Sequence, residues 1–167
     1  MKNFCCCIGF RPDDFAFEYE KDEKRHKEYL IELEEKVKLA ITKYGITNFI
    51  SGMALGLDMD FAEIVLKFKD KYNLTLECAI PYPDHTLKWK KKDKLRYNEI
   101  INNADEVNLI SEKYTSDCKL KRYRYMIDKS GLIICAMNSY LKGRTRNAVQ
   151  YAMDKVKVIE FIYIPWK

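Results

Sequence analysis

Residues 47–58 read TNFISGMALGLD, and this stretch decides how the chain is built. Thr47-Asn48-Phe49-Ile50 has the β-branched and aromatic character of a short strand. Ser51-Gly52-Met53-Ala54-Leu55-Gly56 follows as a loop of small residues. Behind it Phe61, Ala62, Val65, Leu66 and Phe68 fall on or near one face of a helix. Gly52 and Gly56 permit positive φ and close backbone approach, and the amides that open a helix attract phosphate. The loop is not a Walker A sequence, since no Gly-Lys-Ser/Thr follows, and it is not G-x-G-x-x-G.

The same alternation extends in both directions. Upstream, Phe4–Ile8 is a short apolar run ended by Gly9. Leu30, Leu33, Val37, Ala40, Ile41 and Tyr44 then recur at helical spacing until Gly45 stops the helix. Downstream, residues 74–80 predict a third strand, closed by Pro81-Tyr82-Pro83. Trp89, Tyr97, Ile100 and Ile101 suggest a helix, followed by a short strand at 106–110 and a helix over Cys118–Lys129. The strongest strand signal is 131–136, then a helix over 145–155 and a last β-branched run over 158–164, ended by Pro165. Strands alternating with helices predict an α/β fold with a mainly parallel central sheet flanked by helices on both faces. Ligands in such sheets bind at the carboxyl ends of the strands, near a topological switch point. With no repeat or linker in its 167 residues, the chain reads as a single domain, 1–167.

The composition, 47% hydrophobic and 33% charged, is that of a globular protein rather than a disordered chain. No apolar run approaches the roughly 20 residues that span a bilayer. The short stretch at 4–10 runs into Arg11-Pro12-Asp13-Asp14 without a cleavage pattern, so a cytoplasmic location is expected and a membrane partner is not. The net charge of +5 is unevenly placed, with basic stretches at 88–96 (KWKKKDKLR) and 119–125 (KLKRYRY). Each stretch reads either as a solvated face or as a footprint for an anionic ligand or nucleic acid.

The six cysteines include no C-x-x-C pair, and there are only two histidines, so no metal site is expected. Alternation along a strand places Cys5 and Cys7 on one face and Cys6 on the other, so the triplet Cys5-Cys6-Cys7 reads as core packing.

Three strand ends carry residues suited to a ligand: Gly9-Phe10-Arg11-Pro12, Ser51 through Asp58, and Asn138 through Asn147. Asp58 reads as the cap of the following helix or as an acceptor for a ribose hydroxyl or a base. Glu63 is a little over one helical turn further on. Together the two acids would suit acid–base work on a glycosidic bond, the alternative being a solvated side chain. Gly143 and Thr145 open a helix as a second phosphate cradle, with Arg144 and Arg146 as phosphate partners or surface charge.

Taken in order, these loops resemble the YpsA-like family of the SLOG superfamily. Cys7-Ile8-Gly9-Phe10-Arg11-Pro12 is similar to "(T)GHRP", and Ser51 through Asp58 to "SGGALGVD". Pro81-Tyr82-Pro83 with Trp89, then Arg122 through Asp128 (RYRYMID), similar to "RNxYMVD", continue the match. Gly143-Arg144-Thr145 with Val149-Gln150-Tyr151-Ala152 resembles "GGT…VxYA". The resemblance implies a Rossmann-like three-layer sandwich whose glycine loops hold a nucleotide or a nucleotide-derived ligand. SLOG relatives include sensors of NAD- or ADP-ribose-derived signals, the DNA-uptake protein DprA and the cytokinin-activating phosphoribohydrolases called LOG enzymes.

This chain departs from the pattern at four places. The histidine before Arg-Pro is Phe10, the glycine pairs become Gly52-Met53 and Gly143-Arg144, and the asparagine after arginine is Tyr123. The LOG motif P-G-G-x-G-T-x-x-E is not present around Gly143, which argues against phosphoribohydrolase activity by that route.

The leading expectation is a non-catalytic binder of an ADP-ribose- or NAD-like ligand, acting as a sensor or a sequestering protein. The loops at 52–56 and 143–145 would hold phosphates, Asp58 a sugar hydroxyl, and Arg11 would act as a clamp. An aromatic such as Phe10, Tyr82 or Trp89 would stack on a base or belong to the core. The expected ligand-facing set is Gly9, Phe10, Arg11, Pro12, Ser51, Gly52, Met53, Ala54, Gly56, Asp58, Pro81, Tyr82, Asn138, Gly143, Arg144 and Thr145. A nucleotide-type ligand is the only cofactor suggested. One alternative is a hydrolase of a nucleotide N-glycosidic bond using Asp58 and Glu63. Another is a DprA-like single-strand binder using the two basic stretches with Trp89, Tyr97, Tyr123 and Tyr125. A tyrosine-rich surface and the SLOG relatives are compatible with a homo-oligomer.

Overall fold

The computed structural model describes residues 3–137 and 143–163. Its strands are β1 (Phe4–Ile8), β2 (Asn48–Ser51), β3 (Thr75–Ile80), β4 (Glu106–Leu109), β5 (Leu132–Met137) and β6 (Val158–Tyr163). Its helices are α1 (Glu23–Thr42), α2 (Leu57–Tyr72), α3 (Lys91–Asn103), α4 (Cys118–Lys129) and α5 (Gly143–Asp154), with a short 3-10 turn at Pro12–Asp14. The strands form one sheet in the order β4-β3-β2-β1-β5-β6, and every pair is parallel.

The cysteine triplet shows why the sheet forms. β1 lies between β2 and β5, with Cys6 opposite Ile50 on one side and Ile133 on the other. Cys5 and Cys7 pack into the core with α1, α2 and α3, whereas Cys6 and Ile8 face α4 and α5. Both faces of β1 are covered, so its sequence is continuously apolar rather than alternating. All six thiols are free and buried. Burial first, with the Asp58 charge adding to it, pushes the Cys6 thiol up to about 12, so it remains a neutral packing group.

Each layer follows from local pattern. In α1, Leu33, Val37 and Ala40 are buried at helical spacing, and the Asp22 carboxylate accepts from Arg25 N at 3.2 Å to cap the helix. Ser51 closes β2 rather than opening the loop, and α2 begins at Leu57 with Gly56 at its cap. Gly56 has φ 88°, and a Cβ there would lie 2.7 Å from the Phe10 carbonyl oxygen, so glycine is required where the first two loops cross. That crossing is fixed by Leu57 N donating to Phe10 O at 3.1 Å.

Residues 9–22 carry no helical or strand period, and aromatic contacts order them. Phe15 meets Phe10, Phe17, Tyr19 and Tyr29 at centroid distances of 4.9–5.6 Å. Tyr19 and Tyr29 donate to the buried Asp60 carboxylate of α2, which also pairs with Arg96 of α3 at 2.6 Å. The connection from β4 through α4 returns the chain to the far side of β1. The switch point therefore lies between β1 and β5, and the loops after β1, β2 and β3 gather near it.

Candidate functional site

The β2–α2 loop is held by its own polar groups. Ser51 Oγ donates to the Asp58 carbonyl oxygen at 2.7 Å and accepts from Met53 N at 3.2 Å. Asp58 Oδ2 accepts from Ala54 N at 3.1 Å, and Cys7 Sγ donates to Asp58 Oδ1 at 3.5 Å. Burial, then the Asp58 charge, drive the Cys7 thiol well above its ordinary range, so it keeps the proton it donates. Asp58 is only 5% exposed. Its carboxylate braces the loop from within, and the Met53 and Ala54 amides are used internally rather than offered to a ligand.

The sequence pairing of Asp58 with Glu63 does not form a joint site in this geometry. Glu63 turns outward and pairs with Arg96, beside Asp60, on the surface between α2 and α3. Phe10 is buried edge-on against Phe15, and its backbone oxygen is the part that reaches the loop crossing. Met53, at the place of a family glycine, has φ 55° and is fully buried. Gly9 leaves no room for a side chain: a Cβ would lie 2.6 Å from the Ala136 carbonyl oxygen.

Arg122 of α4 is the residue that dominates the crest of the sheet. It is 1% exposed, and its Nη1 donates to the Gly52 carbonyl oxygen at 2.8 Å. Its Nε and Nη2 are buried and have no hydrogen-bond partner among the described residues. A Cβ on Gly52 would fall 3.0 Å from Nε and 2.8 Å from Asp58 Oδ2, so the bare glycine keeps open the space beside the guanidinium. The Tyr123 ring lies against the guanidinium, 5.0 Å from centroid to Cζ. Burying an arginine with one edge unpaired is costly unless an anion completes it.

Around Arg122 lies a recess of about 90 Å³. Arg11, Lys119 and Arg122 supply its charges, and Ala54, Leu55, Pro81, Tyr82, His85 and Trp89 complete its lining. Among the described residues no carboxylate lines it. Among the described residues Arg11, Lys119, Arg122 and Arg144 form no ion pair. The Lys119 ammonium is held below its ordinary range by burial, then by the charges of Arg11, Arg144 and Arg122. Arg11 and Leu55 also border a wider groove of about 1060 Å³ that runs over Pro12 and the aromatic connection.

Pro81 and Tyr82 therefore reach the recess directly, while Gly9, Pro12, Ser51 and Gly56 shape the loops around it. Gly143 has φ 59° with no described atom within 4 Å of its Cβ position, Arg144 is exposed and Thr145 is half-buried. Asn138 lies outside the described residues. Lys119, Arg122 and His85 were not in the set expected from sequence. Arg122 sits inside the RYRYMID motif, and its position there was the available signal. His85 follows Pro81-Tyr82-Pro83 with no pattern to mark it. Among the described residues no cluster of His, Cys, Asp or Glu is arranged to hold a metal ion, and no helix is long and apolar enough to cross a membrane.

The family model for YpsA, described as the YspA SLOG family, matches residues 5–163. The chain belongs to this family. An uncharacterized SPbeta prophage-derived protein of Bacillus subtilis, YoqJ, is 33% identical over 125 residues, covering 67% of this chain and 72% of that protein. A UPF0398 protein of Halalkalibacterium halodurans is 26% identical over 110 residues, and the match spans 58% of its length. The X-ray structure of DNA processing protein A (DprA) from Streptococcus pneumoniae superposes with a TM-score of 0.59 at 14% identity. That likeness covers 94% of this YpsA-family chain and 49% of the DprA chain, and it is a likeness of fold.

Proposed function

We propose that this YpsA-family domain binds a nucleotide-derived, phosphate-bearing ligand at the crest of its sheet and works as a sensor or a sequestering protein. The observation that carries the reading is Arg122, a buried guanidinium with an unpaired Nε–Nη2 edge beside Lys119 and Arg11. That edge has the side-by-side donors that suit an oxyanion. The loops near the switch point of the sheet are where such folds bind ligands, and SLOG family membership supports a nucleotide-type ligand.

The hydrolase reading loses its acidic pair, because Asp58 is enclosed and Glu63 is engaged with Arg96. The single-strand reading draws on the DprA-like fold, but its basic stretches are partly neutralised. Lys92 pairs with Glu20, Arg96 with Asp60 and Glu63, and Lys121 with Asp117. Thermal denaturation with AMP, ADP-ribose, NAD and cyclic ADP-ribose isomers tests the proposal. A ligand at 100 times its Kd adds about 2.7 kcal/mol, and absence of any shift across the set removes the reading.

A further inference from the structure

His85 lines the same recess as Arg122 and Lys119, and its protonation state is legible from its contacts. Nε2 lies 3.4 Å from the Met53 carbonyl oxygen. A carbonyl only accepts, so the neutral ring carries its proton on Nε2 and presents Nδ1 as a lone pair. That Nδ1 is buried and has no hydrogen-bond partner among the described residues. The other backbone group facing the ring is the Tyr82 carbonyl, which also favours a protonated imidazole.

Every element around the ring can be named. Trp89 and Tyr97 meet it edge-on at 5.4 and 5.3 Å, and Tyr82 at 6.1 Å. Arg122 and Lys119 of α4 supply the charges that act on it, and Arg11 borders the same recess from the β1 loop. Burial first, then those cations, hold the ring below its ordinary range. The result is an uncharged base set among cations that form no ion pair among the described residues, with the Asp58 carboxylate across the Gly52 gap from Arg122 as the nearby negative charge.

The shape of the cavity bears on what enters it. The recess of about 90 Å³ has no acidic residue among its described lining, whereas the adjoining groove carries Asp13, Glu18, Glu20 and Asp93 among its basic residues. A strand of phosphodiesters laid along that groove would meet those carboxylates. A ligand with one compact anionic end and a less charged body would not.

Building on the nucleotide-ligand reading, we propose that the recess seats a terminal phosphate group and that His85 takes up a proton from solvent as the anion enters. The anion offsets the cations that add to burial in keeping the ring neutral, and the new Nδ1–H gains a charged acceptor. Ligand capture is then coupled to protonation, and its affinity rises as pH falls through the histidine range.

Sulfate is a suitable probe, because it stays a dianion while histidine titrates. The chain has only two histidines, so their ring C–H signals in proton NMR are readily separated. Sulfate is expected to bind saturably and to move the His85 titration midpoint upward. Its affinity is expected to rise up to about tenfold between pH 7.5 and 5.5 for each unit of that movement. His85→Gln keeps a donor for Met53 and should bind sulfate with an affinity independent of pH. Lys119→Arg removes the lysine titration and should leave the pH dependence in place.

Sulfate binding with an unmoved His85 midpoint, or with equal affinity at both pH values, overturns the proposal. If AMP stabilises the protein while sulfate does not bind, the oxyanion recess is wrong and the nucleotide reading stands. If neither binds, both fall.

Discussion

Arg122 Nη1 and the Gly52 carbonyl oxygen are 2.8 Å apart, joining α4 to the β2–α2 loop across 70 residues of sequence. One edge of the guanidinium therefore sets the loop, and in the proposed binding mode the other takes the ligand's phosphate. Lysine cannot do both, since its single ammonium lacks the planar fork. Arg122→Lys is expected to weaken binding of a phosphate-bearing ligand by about tenfold or more while the fold is retained. Calorimetric titration against wild type checks this, and equal affinities would place the ligand elsewhere.

Gly52 and Gly143 separate crowding from backbone strain. A Cβ on Gly52 enters the gap between Asp58 Oδ2 and Arg122 Nε, whereas one on Gly143 meets no described atom within 4 Å but requires φ 59°. Gly52→Ala is expected to cost about 1–3 kcal/mol through overpacking and to block the recess. Gly143→Ala should cost about 1–2 kcal/mol from its left-handed backbone alone. Denaturant unfolding paired with ligand titration distinguishes the two.

Met53 opposes two effects at one position. Its φ of 55° favours glycine, yet its side chain is fully buried. Restoring glycine relieves about 1–2 kcal/mol of strain. It also deletes a core side chain, for which truncation costs about 2–5 kcal/mol. The second effect is larger, so Met53→Gly should destabilise the fold by about 1–3 kcal/mol in urea unfolding.

Glu77 of β3 gives a pH prediction with a definite sign. Burial alone would raise its carboxyl, but hydrogen bonds from Lys129, Tyr125 and Asn108 outweigh it and hold the group below its ordinary 4.5. A depressed carboxyl contributes stability above its unfolded value and loses it as pH falls through the folded value. Glu77→Gln should therefore destabilise the protein near neutral pH and approach wild type once pH is well below 4.5. A gap in urea midpoint that stays constant with pH would contradict this.

His85 acts in the opposite pH direction to a salt-bridged histidine. Its folded value lies below 6.5, so the unfolded chain takes up the proton more readily. In the absence of anion, stability should fall as pH drops below 6.5, and His85→Gln should flatten that fall. Urea unfolding across that range, with and without sulfate, measures both.

The strands were legible because a sheet covered on both faces writes continuous apolar runs such as 132–136, and the helices because α1 buries a single stripe. The glycine loops were legible as places of close approach, and Gly56 meets that expectation. Asp58 was not legible as a brace, because its partners Cys7 and Ala54 come together only when β1 and β2 pair. Arg122 and His85 were hidden for the same reason. Their meaning lies in which of their nitrogens lack a partner, and tertiary packing decides that. The 9–22 connection left no period to read, since ring contacts and the Asp60 carboxylate order it.

The central claim is most directly tested by thermal denaturation of wild type and Arg122→Met, each with AMP and with adenosine. The account predicts that AMP stabilises wild type, that adenosine does so far less, and that the AMP effect is lost in the variant. Equal stabilisation by adenosine, or an undiminished AMP effect in Arg122→Met, would contradict it.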